Sequence, residues 1–406
     1  MKKDGNVFSG STNRRSFLKG GTVAASAATL GAGLLLPKGL SAFDRDLDGA
    51  DRRPITKGDI AILTFLQALE QVEADLWQQY SELGGTQDNE VSGLNGGNVP
   101  YTQALQLLDG DMPQYIHDNT DDEFSHANFL GNFLKSIGVE PVNLDKFRHL
   151  PSSQADGARQ TGRLTNLTQL TIDTSFWSRY RSITNPDFDP GAPFVLAVPS
   201  LNVGQHTAIP RSNDDTAGSV IDLMNPAQST FPDTLKAIAF TAGFHFAFIE
   251  QGGTSLYPTL AQHVSNLTVL RILLSIGPSE TMHFQTWQDK AGNATPLTIF
   301  DTVNQSTVTF TDLTQAQGET DPESLNGNTL QANLIMPEPC HFLDPNFGPV
   351  AIVRPTSTGN SGATQAVLGL RNDGLFLDPQ TPGKNTGIVH RLMELAEEAD
   401  EARRGF

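Results

Sequence analysis

Six side chains stand out by type and spacing: Glu70, Glu123, His126, Glu250, Glu280 and His283. Glu123-Phe124-Ser125-His126 and Glu280-Thr281-Met282-His283 each set a carboxylate and an imidazole three residues apart. On a helix that spacing puts both side chains on one face, where the pair can share a metal ion. A lone Glu-x-x-His is weak evidence, because such pairs occur by chance and mostly as surface hydrogen bonds. Here two of them alternate along the chain with single glutamates, Glu70 before the first and Glu250 before the second. Four carboxylates and two imidazoles, one element from each of four helical segments, form the ligand set of a two-metal carboxylate site. Such ligands without sulfur suit iron or manganese, and zinc would more usually take four-coordinate sites. Two ions held about 3.5–4 Å apart with open coordination positions are suited to reaction with oxygen or peroxide. Nothing in the residue types separates iron from manganese.

Four helices must carry these ligands. Thr56-Lys57-Gly58-Asp59 reads as a capping box, and the helical pattern behind it runs to Leu83 before Gly84-Gly85. Leu63, Leu66, Glu70, Ala74 and Trp77 recur at three and four residues, so Glu70 interrupts an otherwise apolar stripe. A second helix is expected from about Pro113 to Ile137, stopped by Gly138 with Pro141 beyond. Thr230-Phe231-Pro232-Asp233 opens a third, whose far end is weakened by Gly252-Gly253 and Pro258. A fourth runs from about Ser265 to Lys290, with Pro278 expected to kink it or mark a restart. Glu123 has Ile116 and Leu130 one heptad away on either side, and Glu280 has Leu273 and Trp287. These faces should be buried, and four converging buried carboxylates require compensating cations.

An aromatic follows seven residues after each lone glutamate, Trp77 after Glu70 and Tyr257 after Glu250, which gives the two halves the look of pseudo-repeats. Trp77 and Tyr257 are either packing residues or electron-transfer neighbours of the metals. Glu73, one turn after Glu70, either supports the metal ligands or is a solvated charge on the helix flank. His245 reads as a core or flank histidine, and Cys340-His341 as part of a Pro-rich structural loop.

Between the two halves, at about residues 142–229, lies one long crossover of polar segments with strand-like runs such as Phe194-Val195-Leu196-Ala197-Val198. After Ala291 comes an irregular, partly β extension with alternating pieces, Thr307-Val308-Thr309-Phe310 and Val350-Ala351-Ile352-Val353. It ends in a helix from Thr386 to about Arg404, apolar at Ile388, Val389, Leu392 and Leu395, expected to dock on the body or on another subunit. The expected organisation is an export signal at 1–42, a linker at 43–55, the helical body with its crossover at 56–291 and the extension at 292–406.

The chain has 406 residues and a formal charge of −18; from Phe43 onward it carries 21 basic and 44 acidic groups. That balance argues against nucleic acid and anionic membrane surfaces as partners. Cys340 is the only cysteine, which excludes an intrachain disulfide and a thiolate cluster. Asn13-Arg14-Arg15-Ser16-Phe17-Leu18-Lys19, the Gly- and Ala-rich run from Gly20 to Leu36, and the small-residue exit at Ser41-Ala42 resemble a twin-arginine export signal. The expectation is cleavage near Ala42, release to the periplasm or outside the cell, and no stable membrane span afterwards.

The segments Leu69-Glu70-Gln71-Val72-Glu73-Ala74, Asp122-Glu123-Phe124-Ser125-His126-Ala127-Asn128-Phe129-Leu130 and Glu250-Gln251-Gly252-Gly253-Thr254-Ser255-Leu256-Tyr257 resemble the ferritin-like domain family that includes plant desiccation-related proteins and exported bacterial homologues. The resemblance covers about residues 56–141 and 230–291. It implies a mainly α, up-down four-helix bundle with a long crossover between its second and third helices. It further implies a di-iron or di-manganese centre, ferroxidase or peroxide- and oxygen-detoxifying activity, and homo-oligomers. Pro278 and the long tail argue against a closed storage cage. Two alternatives stand beside this expectation: a non-catalytic stress-protection or surface-assembly protein that keeps the bundle as a scaffold, and a manganese catalase-like enzyme.

Overall fold

The computed structural model describes residues 53–179, 195–313, 339–341, 346, 349–351, 362–378 and 386–403. The chain divides into two units, Met1–Arg52 and Arg53–Phe406, and all described residues belong to the second. The expected signal at 1–42 and nearly all of the linker, together with Phe194, Ile352 and Val353, lie outside them. The described part is mainly helical, with small two-stranded sheets.

Helix α1, Lys57–Gly84, starts where the capping box places it: Thr56 Oγ1 accepts from the Asp59 amide, and the Asp59 carboxylate accepts from the Thr56 amide. Asp59 also accepts from the Ser265 amide at 2.8 Å, tying this helix start to the turn between the third and fourth long helices. A short helix α2, Val99–Leu105, begins at the end of the Gly- and Asn-rich stretch 86–100 that reads as loop, and at seven residues it is too short for a periodic signal. It is capped by Asn98, whose side chain accepts from the Tyr101 amide, and has Pro in its first turn. Helix α3, Met112–Ser136, packs along α1 and stops at Gly138, whose φ of 80° is the left-handed value that favours glycine there. Helices α4, Asp233–Ala261, and α5, Leu267–Ala291, form the second packed pair.

Neither pair of breakers interrupts its helix. Gly252-Gly253 and Pro258 lie inside α4, and α5 runs unbroken through Pro278. Pro278 withdraws the hydrogen bond that Leu274 would otherwise accept, and Leu274 sits on the exposed side, where water can serve its carbonyl. Burial of the surrounding faces outweighs the local cost.

Helix α1 is enclosed on every side rather than along one stripe: from Ile62 to Gly84 all residues except Thr64 and Gln71 are buried. Its outward polar groups therefore need partners, and the crossover supplies them. Asp75 accepts from Arg148 Nη1 at 2.5 Å, from the amides of Leu164 and Thr165, and from Thr165 Oγ1. Glu82 accepts from Arg163 Nη2 at 2.5 Å and from the Arg159 amide. The run Val195–Val198 forms no strand, because its chain follows this irregular path: Ala197 and Val198 instead bond to Thr174.

In the extension, β1, Leu297–Asp301, pairs antiparallel with β2, Ser306–Phe310, in a hairpin that seats Phe310 against Phe240 and Phe244. Strands β3, Pro339–His341, and β4, Pro349–Ala351, pair likewise, so Cys340 and His341 lie in a short ladder rather than a loop. Helix α6, Ala363–Asn372, falls where irregular or β chain is expected. The last helix, α7, Thr386–Asp400, docks on α1 and α6 and buries Ile388, Leu392 and Leu395. No helix among the described residues is long and apolar enough to cross a membrane.

Two stability predictions follow from these contacts. Arg163 is buried with Glu82, so Arg163→Ala leaves an unpaired carboxylate and should cost about 3–5 kcal/mol in denaturant unfolding. The double change Arg163→Met with Glu82→Leu should cost far less. His117 is buried beside Asp118 at 3.3 Å and Asp88 at 3.0 Å, which hold its pKa at about 9. A histidine raised in the folded state stabilises fully below about pH 6.5 and loses that contribution as pH rises through about 9. The melting temperature should fall across that window, and His117→Gln should flatten the fall.

Candidate metal centre

Each of the four long helices delivers part of the six-residue set to one buried place. Glu70 comes from the middle of α1, Glu123 and His126 from α3, Glu250 from α4, and Glu280 and His283 from α5. Their ligand atoms sort into two groups, Glu70–Glu123–His126–Glu280 and Glu123–Glu250–Glu280–His283, each with all its atoms within 4.8 Å of one another. Glu123 and Glu280 belong to both. The four glutamates are 0–1% exposed and His126 is 8% exposed, while His283 is half-buried.

His126 Nδ1 lies 3.5 Å from Glu70 Oε2, 3.4 Å from Glu123 Oε2 and 3.2 Å from Glu280 Oε1. His283 Nδ1 lies 3.3 Å from Glu123 Oε1, 3.2 Å from Glu250 Oε2 and 4.0 Å from Glu280 Oε2. Each shared glutamate thus turns one oxygen toward each histidine, the arrangement of a bridging carboxylate. Atoms about 2.1 Å from a common ion stand roughly 3–3.5 Å from one another. Glu70 Oε2, Glu123 Oε2, His126 Nδ1 and both Glu280 oxygens are buried without a hydrogen-bond partner. Buried polar atoms are almost always satisfied, so five orphans converging on one place fit a bound cation.

The neighbours hold the ligands still. Asn119, one turn before Glu123, donates from Nδ2 to Glu123 Oε1 at 2.8 Å and to Glu250 Oε1 at 2.9 Å, and its Oδ1 accepts from Trp287 Nε1 at 2.7 Å. Asp122 lies 3.0 Å from His283 Nε2 and accepts from Ser279 Oγ, which leaves His283 Nδ1 directed at the glutamates. The Tyr257 hydroxyl donates to Glu70 Oε1. Helical position gives a signal for Asn119, four residues before Glu123 on the same face, and for Asp122, adjacent to a ligand in sequence. The sequence reading passed over both.

The two aromatics of the pseudo-repeat take different roles. Tyr257 reaches across to the glutamate of the other half, whereas Trp77 stacks on Trp287 at 5.3 Å and Phe246 at 4.9 Å, in a dry layer that includes Tyr80. His245 is a core residue, fully buried and 2.7 Å from the Tyr80 hydroxyl through Nδ1. Glu73 is buried and not a solvated flank charge, and it belongs to neither ligand group. A third set combines exposed Asp88 and Glu90 with buried His117, which is already paired to two carboxylates.

Close approach at the centre depends on Gly253: a Cβ there would stand 2.7 Å from Glu280 Oε2. Electrostatics at the centre is strained. Burial pushes Glu70 up to about 7 and Glu280 well above the carboxylate range, each against the pull of His126, while Glu123 is drawn down to about 2 because the two histidines outweigh its burial. Burial and the surrounding glutamates raise Glu73 as well. Cations would displace the protons that Glu70 and Glu280 hold.

Gly253→Ala should lower the metal content of reconstituted protein by about half or more. The metal-free melting temperature should hold or rise, since alanine favours helix by about 1 kcal/mol over glycine. Elemental analysis with thermal unfolding checks both, and unchanged metal content would remove Glu280 from the ligand set.

Comparison of the chain with protein-family models, with curated proteins and with solved structures finds no match in any of the three.

Proposed function

We propose that this is an exported ferritin-like protein whose α1, α3, α4 and α5 form a four-helix bundle around a di-iron or di-manganese carboxylate centre that acts on oxygen or peroxide. The observation that carries it is the sharing of Glu123 and Glu280 between two ligand groups, five of whose buried atoms lack hydrogen-bond partners. Glu70 and His126 would hold one ion, Glu250 and His283 the other. With both imidazoles neutral, two divalent ions balance four carboxylates, which removes the repulsion that otherwise favours protonation. Such ions supply redox chemistry and Lewis acidity when bound.

The chain's own part is to orient and exclude. Asn119, Asp122 and Tyr257 fix individual ligand oxygens and nitrogens through hydrogen bonds. The buried layer of Trp77, Trp287, Phe246 and Tyr80, tied to the centre through Asn119, would keep water from that side. The twin-arginine-like segment supports export of the folded protein with its metal already loaded.

Purified protein, reconstituted anaerobically with Fe(II) or Mn(II), should hold about two ions per chain and consume oxygen or peroxide. Glu123→Ala with His283→Ala should bring the content below about one ion per chain. Well under one ion in the unaltered protein would refute the proposal. Two ions without turnover would favour the scaffold reading, and rapid peroxide disproportionation restricted to the Mn form would favour the catalase-like one.

A further inference from the structure

Beside the centre lies a cavity of about 360 Å³, walled by Leu69 of α1, by Phe248, Ile249 and Leu256 of α4, and by Ala366 and Leu370 of α6. That volume lies within the range of small-molecule sites. The extension therefore completes a chamber that the four long helices leave open. Its floor reaches the centre: Gly253 lines the cavity and also packs against the Glu280 carboxylate.

Three carboxylates line the chamber, Glu73, Asp173 and Asp373, and no basic side chain does. Glu73 is more than nine-tenths buried and makes no hydrogen bond or ion pair among the described residues. Removing a carboxylate from water without a partner is costly. No basic side chain of the chamber compensates Glu73, and burial among the neighbouring glutamates favours its protonated form unless a cation is supplied. The three chamber carboxylates do not converge as metal ligands do, and none joins a ligand group. The walls are more apolar than polar, with Thr171, Asn202, Gln251, Gln365 and Asn372 set among the hydrocarbon side chains. A cation that brings its own apolar body meets both demands.

We propose that this chamber binds a small organic ammonium, a primary amine on an alkyl or aryl body, with its charge on Glu73 and its body between α4 and α6, directly against the centre at Gly253. The role of the centre beside it rests on the dimetal reading; the amine site itself does not. Gly252 offers a clean handle, because it lines the chamber and a Cβ there meets nothing within 4 Å. A large side chain at that position would fill the chamber without disturbing the helix.

The test is calorimetric titration of the full chain, metal-free and metal-loaded, with phenethylamine and its neutral analogue 2-phenylethanol. Phenethylamine should bind about tenfold or more tightly than the alcohol in both forms, as a charge-assisted hydrogen bond provides. Glu73→Gln should abolish that preference, and Gly252→Phe should abolish binding of both compounds while melting temperature and metal content hold. Equal affinity for amine and alcohol, an amine preference that survives Glu73→Gln, amine binding that survives Gly252→Phe, or no binding at millimolar amine would overturn the proposal. So would displacement of the amine by Mn(II) at one equivalent beyond full loading, which would make the chamber a metal site. Metal content below one ion per chain with the amine preference intact would sink the dimetal reading alone.

Discussion

Four carboxylates and two imidazoles share one interior space, and the cost of keeping them there organises the molecule. Each uncompensated buried charge costs several kcal/mol, so such a cluster persists only if its charges balance and its atoms are held in place. The two shared glutamates, Glu123 and Glu280, solve the geometric half of this problem, since each turns one oxygen toward each histidine. Backbone approach at Gly253 makes room for Glu280. Asn119 ties Glu123 to Glu250 and to Trp287, so the ligands move as a unit with the aromatic layer beneath them.

Enclosing the cluster has a consequence for α1. A helix that carries Glu70 into the interior and is itself surrounded cannot leave Asp75, Gln79 and Glu82 to water. The crossover answers with Arg148, Arg163 and Thr165, in a conformation dictated by those partners rather than by any ladder of its own. Helix α7 then covers another flank of α1 with Ile388, Leu392 and Leu395. What reads as insertion and tail is the coat that lets the central helix be polar and buried together.

Glu70 and Glu73 show how strongly environment divides like residues. They sit one turn apart on α1 and both are buried. Glu70 receives the Tyr257 hydroxyl and faces His126, while Glu73 lines the chamber and has neither partner.

The sequence by itself determined the types and order of the six candidate ligands and the helices that carry them, because i, i+3 spacing, capping boxes and terminal glycines act within a few residues. Thr56 and Gly138 are legible for that reason, and so are the two Glu-x-x-His pairs. Tertiary structure alone decided which glutamates are shared, that Tyr257 serves Glu70 in the opposite half, and that Glu73 opens on a chamber walled by α6. It also decided that Pro278 and Gly252-Gly253 stay inside their helices, where burial of whole faces outweighs a local penalty. These outcomes turn on contacts between residues up to some three hundred positions apart, and local periodicity carries no information about which distant partner will satisfy a buried charge.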